Sequence, residues 1–421
     1  MAWHAAKLEV TSVVSIITTP TPDMTTAPST CLKAVDKVEI TFLVDNTVER
    51  MASLPPGFVH EHHSHLSKPS APADLETGCR ILDLENYCCG AHGFSALITT
   101  SIGDEAHTTL FDTGPESKSI ARNIASLKVD TTLIETVILS HWHGDHSGGM
   151  LELLRIRSTQ LGSSTVVVDH TQSTSPNITV DLHPSRPEAR GMAAPPTYEE
   201  IIYRLQSDPT FQEVRDLGGQ VNLHDEPHTV AGGQVFVSGE IPRVIKWEEG
   251  LFGAVRWVGK DDPRKESAYG TVGEATGDGK WVREDHIMDE RYAAIDVKGR
   301  GLIILSACSH AGICNVITDA VKSFNRPIYM IIGGLHLAPA DQIYRIGPTV
   351  EFISRSLQPA PAYVVPMHCS GFKARIELEK ELGAGCVLAG SGMKVQVNGN
   401  EEGEKTLSAP EIRETKWEPE A

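Results

Sequence analysis

No apolar run in this 421-residue chain reaches the length of a membrane span, so a helical membrane protein is not expected. An excess of basic residues is missing too. Lysine and arginine number 37 against 55 aspartates and glutamates, a formal net charge of −18, which excludes a nonspecific nucleic-acid binder with its basic footprint. That charge does not exclude a phosphorylated substrate, because a bound metal ion supplies positive charge locally. The eight cysteines, at 31, 79, 88, 89, 308, 314, 369 and 386, are irregularly spaced. In a chain this long they are no small disulfide scaffold, and reduced thiols in an intracellular protein are expected. The stretch "KLEVTSVVSIITTPTPDMTTAPST" lacks a basic leading region, carries Glu9 and has no arginine, so neither a secretory signal nor a mitochondrial presequence is expected. Residues 1–33 read as a poorly ordered tail on a cytoplasmic protein.

What is present is a large soluble domain. With 40% hydrophobic and 22% charged residues the chain has the material for a sizeable core. "DKVEITFLVDN" (36–46) predicts a strand, and residues 52–76, rich in Pro, His and Ser, predict a loop insertion. "FSALITTS" and "TTLFDTG" predict two strands, "SKSIARNIASL" (117–127) a helix, "ETVILS" (135–140) a buried strand, 149–157 a helix and "STVVVDH" (164–170) a strand. From 172 to 290 the pattern is irregular, with "QVFVSGEIPR" (234–243) strand-like and 247–281 a loop-rich insertion containing Trp247, Trp257 and Trp281. Those tryptophans either line a pocket or anchor the loop. Alternation then resumes through "AAIDV", "GLIILSA", "GICNVITDAVKSF", "PIYMIIGG", "PTVEFISRSL", "AYVVPMH", "KARIELEKEL", "CVLAG" and "KVQV", with 401–421 a polar tail. Two comparable β/α halves without a short repeat predict a layered α/β domain, with chemistry at the C-terminal ends of strands.

One such strand end reads "VILSHWHGDHSGGM" (137–150). His141 and His143, two residues apart on extended chain, point the same way and grip one metal ion. Asp145 and His146 reach toward a second. Imidazole and carboxylate suit zinc, and also iron or manganese. Gly144, Ser147, Gly148 and Gly149 let the backbone turn closely. A single histidine would read as a turn residue, but four ligand-type residues in six positions point to metal. His310 in "LIILSACSHAGICN" and His368 in "VVPMHCSG" each follow an apolar strand and are candidates to complete the set. His336 in "IIGGLHLAP" is placed facing substrate, with ligand as its alternative. Cys308 and Cys369, beside these histidines, read as small buried hydrophobes rather than soft ligands, since the histidines already supply borderline ones.

The motif "HWHGDH" resembles the H-x-H-x-D-H hallmark of the metallo-β-lactamase superfamily. The ordered series "FLVDN", "HGFSALI", "LFDTG", "LSHWHGDHSGG", "SGEIPR", "GLIILSACSHAGICN", "IGGLHL" and "PMHCSG", over roughly 36–398, is similar to its 7,8-dihydropterin-6-methyl-4-(β-D-ribofuranosyl)aminobenzene 5′-phosphate synthase-like branch. The resemblance implies a four-layer αββα sandwich over residues 34–400 with a dinuclear site between the halves. It assigns His141, His143, Asp145, His146, His310 and His368 as ligands, with Asp112 orienting a ligand histidine from behind. It leaves the bridging ligand open, with His228 in "DEPHTV" a lesser candidate for any missing ligand. The insertions near 52–76 and 247–281 depart from shorter members.

The leading expectation is a hydrolase that uses metal-activated hydroxide on an ester, lactone or phosphoester-type small molecule, with two zinc ions as cofactor. Asp145 and His336 are the catalytic candidates, and His336 or Ser309 would steady negative charge. Alternatives are an iron-dependent oxidoreductase of the same fold, the synthase-type transfer named for the branch, and a non-catalytic binder.

Overall fold

The computed structural model describes residues 31–67, 71–163, 177–259, 270–276 and 279–415. Two mixed sheets lie face to face. The first runs in the order Phe58–Val59, Lys394–Asn398, Lys37–Val44, Ser95–Ile102, Glu105–Phe111, Ile134–Ile138, Ile178–Leu182, Gly219–Leu223. It is antiparallel up to Glu105–Phe111 and parallel from there on. The second runs His228–Val230, Val235–Val237, Ala293–Val297, Gly301–Ser306, Ile328–Gly333, Tyr363–Pro366, its last three strands parallel.

Alternation in the strands explains the layers. Val38, Ile40, Phe42, Ala96 and Ile98 of the first sheet face Ala293, Ile295, Ile303, Leu305, Met330 and Ile332 of the second, all fully buried. Residues of opposite parity face outward under helices. Ile120, Ile124 and Leu153 from helices Ser117–Leu127 and Met150–Ser163 pack on Leu110, Val137 and Val180. On the far side Ile313, Ile317 and Leu378, from Ile313–Phe324 and Phe372–Leu382, pack on Leu302, Ile304 and Val364. The result is a four-layer αββα sandwich. Among the described residues no helix is long and apolar enough to cross a membrane.

Several sequence expectations change. The segment 247–281 is not mainly loop: Ala254–Gly259, Thr271–Thr276 and Gly279–Arg283 join Ala189–Ala193 and Ile201–Arg204 in an antiparallel five-stranded sheet. Its glycines hid the strands, and Trp257 and Trp281 stand directly opposite one another, edge to face at 5.4 Å. Trp247 instead anchors on the core beside Phe352. Residues 52–76 contain Phe58–Val59 and the short helix Glu61–Leu66, held by buried Glu61, which accepts from the Cys88 N–H at 2.9 Å and Ser126 Oγ at 2.8 Å. "CVLAG" makes only a bridge from Cys386 to Val364, and the strand in "QVFVSGEIPR" stops at Val237. The strand expected at 164–170 and residues 1–30 of the expected tail lie outside the described residues. The C-terminal stretch is not all tail: Glu411–Ile412 pairs with Leu357–Gln358, and Glu404 binds Arg326 at 2.8 Å.

The third sheet braces the histidine motif from the side. Arg190 of Ala189–Ala193 is buried, bound to Glu284 at 2.7 Å and to Asp289, and it donates to the Trp142 carbonyl. Asp289 in turn accepts from the Trp142 N–H at 2.7 Å. Trp142, fully buried, is thus clamped on both backbone polar groups. Replacing Arg190 with Met leaves buried Asp289 without a guanidinium and Glu284 with Arg256 alone, at 3.2 Å. We expect Arg190→Met to lower unfolding stability by about 3–5 kcal/mol in a denaturant titration, whereas Arg155→Met on the exposed pair with Glu152 changes it by less than about 1 kcal/mol.

Candidate metal centre

The strand Ile134–Ile138 delivers its C-terminal end into the cleft between the sheets, and Leu139 and Ser140 carry the chain to His141. The turn that follows is tight: a Cβ on Gly148 would meet Pro115 O at 2.0 Å, and one on Gly149 would meet Thr113 O at 2.1 Å. Gly144, by contrast, has open space, so its smallness is not demanded by packing. From the second half, Gly301–Ser306 brings Cys308 and His310, and Tyr363–Pro366 brings His368. The Glu290 carboxylate fixes the first of these loops, accepting from the N–H groups of His310 at 2.7 Å and Ala311 at 2.6 Å. Asp45 fixes the second, accepting from the His368 N–H at 2.7 Å.

Two groups of ligand-type atoms result, each with its atoms within 4.8 Å of one another: His141, His143 and His310 in one, Asp145, His146, Cys308 and His368 in the other. His141 and His146 are fully buried and His310 and His368 nearly so, while His143 and Asp145 are half-buried on the open side. The groups adjoin, with ring centroids of His141 and His146 4.4 Å apart.

Hydrogen-bond directions show what these atoms present. Asp112 accepts from the Ser140 N–H at 2.7 Å and, on its other oxygen, from Ser140 Oγ and His146 Nδ1, each at 2.8 Å. Ser140 Oγ has spent its hydrogen on Asp112, so it accepts from His141 Nδ1 at 2.8 Å. His368 Nδ1 donates to Asn46 Oδ1 at 3.0 Å, the amide being oriented by its other end, which donates to His368 O at 3.2 Å. Each of these rings therefore turns Nε2 inward. His141 Nε2 lies 3.0 Å from His143 Nδ1 and 3.2 Å from His310 Nε2; His146 Nε2 lies 3.1 Å from Cys308 Sγ; His368 Nε2 lies 3.2 Å from Asp145 Oδ2. Of these, His368 Nε2 and Asp145 Oδ2 are acceptors facing one another, which is unfavourable unless a proton or a metal ion sits between them, and the remaining imidazole nitrogens and the thiol converge on the same small space. The donor set fits metal.

Burial holds His141, His310 and His368 below the usual imidazole range and His143 down to about 3, so these rings are neutral and ready to donate lone pairs. His146 goes the other way. Burial works against its charge, but Asp145 and Asp112 outweigh it and hold the ring well above its ordinary value. Burial likewise pushes the Cys308 thiol up.

The structure brings all six expected ligands into the two groups and places Asp112 behind His146. Cys308 is buried, as expected of a small apolar side chain, and its sulfur also lies among the ligand-type atoms of the second group; its position two residues before His310, at a strand end, is the available signal. Cys369 stays outside both groups, its thiol directed at the Cys308 carbonyl at 3.5 Å. Ser309 does not face the cluster: its hydroxyl donates to Gly334 O at 2.7 Å and accepts from Ser306 Oγ at 2.8 Å, so it has no hydrogen for a substrate. His336 is in neither group but packs on His310, ring centroids 4.5 Å apart, with Nδ1 3.0 Å from Gln342 Oε1. His228 lies elsewhere, with Asp181 and His224. His92, which the sequence does not single out, stands with its exposed ring at the opening, 3.7 Å from Asp145 and tilted against the His368 ring, centroids 4.8 Å apart. Asp112, Ser309, His336 and His368 all hold positive φ, between 45° and 61°, a conformation that costs each non-glycine residue about 1–2 kcal/mol and gathers at functional sites.

The model of the metallo-beta-lactamase superfamily matches residues 92–245. The chain is similar to 7,8-dihydropterin-6-methyl-4-(beta-D-ribofuranosyl)-aminobenzene-5′-phosphate synthase of Methanocaldococcus jannaschii, 28% identical over 67% of this chain and 82% of that protein. A second protein of that organism, described as uncharacterized, is 25% identical over 69% of this chain and 88% of its own length. A solved metal-dependent hydrolase of the beta-lactamase superfamily covers 86% of this chain and 99% of its own at 21% identity, with a TM-score of 0.53, a likeness of fold.

Two outcomes test the centre as described. Asp112→Asn keeps the shape and a residue that tolerates positive φ but turns an N–H against His146 Nδ1; zinc affinity in a chelator competition is expected to fall by roughly 10–100-fold. Zinc entry must also displace the proton that Asp145 and Asp112 hold on His146. Calorimetry in buffers of different ionisation enthalpy at pH 7 should therefore record proton release, and apparent affinity should weaken as pH falls.

Proposed function

Because the chain belongs to the metallo-β-lactamase superfamily, we infer that it is a metal-dependent hydrolase of an ester-, lactone- or phosphoester-type small molecule. The observation that supports this most directly is the pair of adjoining donor groups, His141/His143/His310 and Asp145/His146/Cys308/His368, at the open edge of a buried cleft. Two zinc ions are the proposed cofactors, and the same nitrogen, oxygen and sulfur set would accept iron or manganese. When bound, such ions acidify water and polarise a substrate oxygen.

The chain's own residues supply the rest. Asp145, half-buried and facing the opening, takes the proton released as water adds to the acyl or phosphoryl centre. That proton passes to the departing oxygen as its bond to the same centre breaks, so acid and alcohol leave with no net proton change. His336, whose Nδ1 bonds Gln342, presents Nε2 as a proton acceptor beside His310, which suits it to relay a proton better than to steady an oxyanion. Fully buried Trp142 and the packed strand ends keep bulk water from the inner side. A second reading, synthase-type transfer, is supported by similarity along most of the chain to the archaeal synthase; it would use the same chamber with an acceptor other than water.

The test is metal content of untagged protein purified without added metal, alongside Asp145→Ala and His368→Ala, followed by an ester, lactone and phosphodiester panel. We expect near two zinc ions per chain attributable to this centre, that share of the metal content lowered in both variants, and hydrolysis reduced by about 10²-fold or more. Iron with oxygen uptake would replace this reading by the oxidoreductase; a chain that takes up no metal would end it.

A further inference from the structure

A third group of ligand-type side chains lies apart from the chamber. Asp181 is the penultimate residue of the strand Ile178–Leu182, His224 follows Gly219–Leu223, and His228 opens His228–Val230. Their ligand atoms all lie within 4.8 Å of one another. Three residues separate the two histidines, and the chain between them crosses from the first sheet to the second.

Donor and acceptor roles at His228 do not balance within the chain. Its Nδ1 lies 3.0 Å from the Glu226 carbonyl, which only accepts, so Nδ1 carries the hydrogen. A neutral ring then presents a lone pair at Nε2, and that atom points at Asp181 Oδ2, 2.8 Å away, itself an acceptor. The same oxygen faces His224 Nδ1 at 2.7 Å. Arg291 is bound to the other carboxylate oxygen, Oδ1, at 2.6 Å and leaves Oδ2 to the histidines. Asp181 is fully buried, His228 partly so, and His224 opens to solvent, its ring stacked on that of His228 at 4.0 Å. Either a second proton on His228 or a cation resolves the clash of acceptors. The local chemistry favours the cation: two imidazole nitrogens and one carboxylate oxygen converge at the surface end of a buried acid, with an entry side for water as a fourth ligand, and Asp225 and Glu226 flank the opening.

We propose that Asp181, His224 and His228 form a second, mononuclear site for a divalent transition ion of the zinc class, which clips the crossover 224–228 to the end of the first sheet. The site touches the histidine motif through the backbone: the Leu139 N–H donates to Asp181 O at 3.0 Å, and the Arg291 N–H donates to Ser140 O at 2.8 Å. Its role is structural, holding the two halves in register rather than meeting substrate. Bound ion adds stability by mass action, a gain that grows with free zinc.

The test uses the full chain, stripped with chelator and titrated with zinc. We expect one ion per chain to survive in Asp145→Ala combined with His141→Ala, and that ion to be lost when His224→Asn and His228→Asn are added. His224→Asn/His228→Asn alone should lose one ion, keep the activity of the principal centre, and lose the part of the zinc-dependent rise in Tm that remains once that centre is filled. Diffraction at the zinc absorption edge from crystals of the native chain should place anomalous density between Asp181 Oδ2, His224 Nδ1 and His228 Nε2. The same zinc stoichiometry with and without the two asparagines, or anomalous density at the principal centre alone, overturns the proposal; neither result bears on the hydrolase reading, which rests on other residues.

Discussion

Imidazole nitrogens turned inward around the Asp145 carboxylate and the Cys308 sulfur, at the open edge of a buried cleft, are the constraint around which this structure is organised. Asp112, through Ser140 and directly, spends the outer nitrogens of His141 and His146, and Asn46 does the same for His368. Their inner nitrogens are left to face one another and the Asp145 carboxylate. In an apolar setting such an arrangement costs several kcal/mol unless positive charge enters. Much of the surrounding architecture exists to hold it. Four residues of the cleft keep positive φ, Glu290 and Asp45 grip the loops that carry His310 and His368, and Arg190 with Asp289 clamps Trp142 between the first two histidines. Rigidity of this kind keeps ligands near the geometry an ion requires, where a looser shell would let them turn outward and satisfy themselves.

The fold explains why ligands from distant sequence meet. Parallel strands of both sheets end on the same side of the sandwich, and each contributes its following loop: 139–149 from the first half, 307–312 and 367–371 from the second. Helices cover the outer faces and leave that end open. The third sheet, an addition to this frame, approaches from the flank and reaches the motif through one buried arginine.

Legibility in the sequence followed how local each signal was. The hallmark His141–His146 was readable because its ligands are contiguous, and His310 and His368 because an apolar strand precedes each. Asp112 was readable only by resemblance; nothing local says that a carboxylate after "LF" reaches a histidine 34 residues on. Cys308 was read as a small buried side chain, and it is buried; that its sulfur also lies among the ligand-type atoms was not legible, because the sequence does not give the direction of a side chain at a strand end. Ser309 was misassigned for the same reason: the backbone turn at positive φ swings its hydroxyl back onto Gly334. The strands of 254–283 escaped because glycine-rich segments carry little alternation, and their register is set by Arg190 and the Trp257–Trp281 pair, partners remote in sequence. His228 was singled out for its residue type but assigned toward the wrong centre, since the sequence does not say which strand end lies beside it.

Electrostatics links the centre to the class of molecule it would receive. The chain as a whole repels anions, with a net charge of −18. Within the two groups, however, Asp145 supplies the only carboxylate and Cys308 the only thiol; the other ligands are imidazoles, those of His141, His143, His310 and His368 held neutral by burial. On the dinuclear reading, two divalent ions outweigh both, so the opening becomes a positive spot on a negative surface. Long-range attraction is then screened beyond about 10 Å at 0.1 M salt, and selection for an anionic group would act only at contact. A carboxylate, phosphate or ester oxygen would be favoured by that geometry whether the acceptor is water or another nucleophile, which is why the hydrolase and transferase readings share one pocket and divide only on what occupies the second position in it.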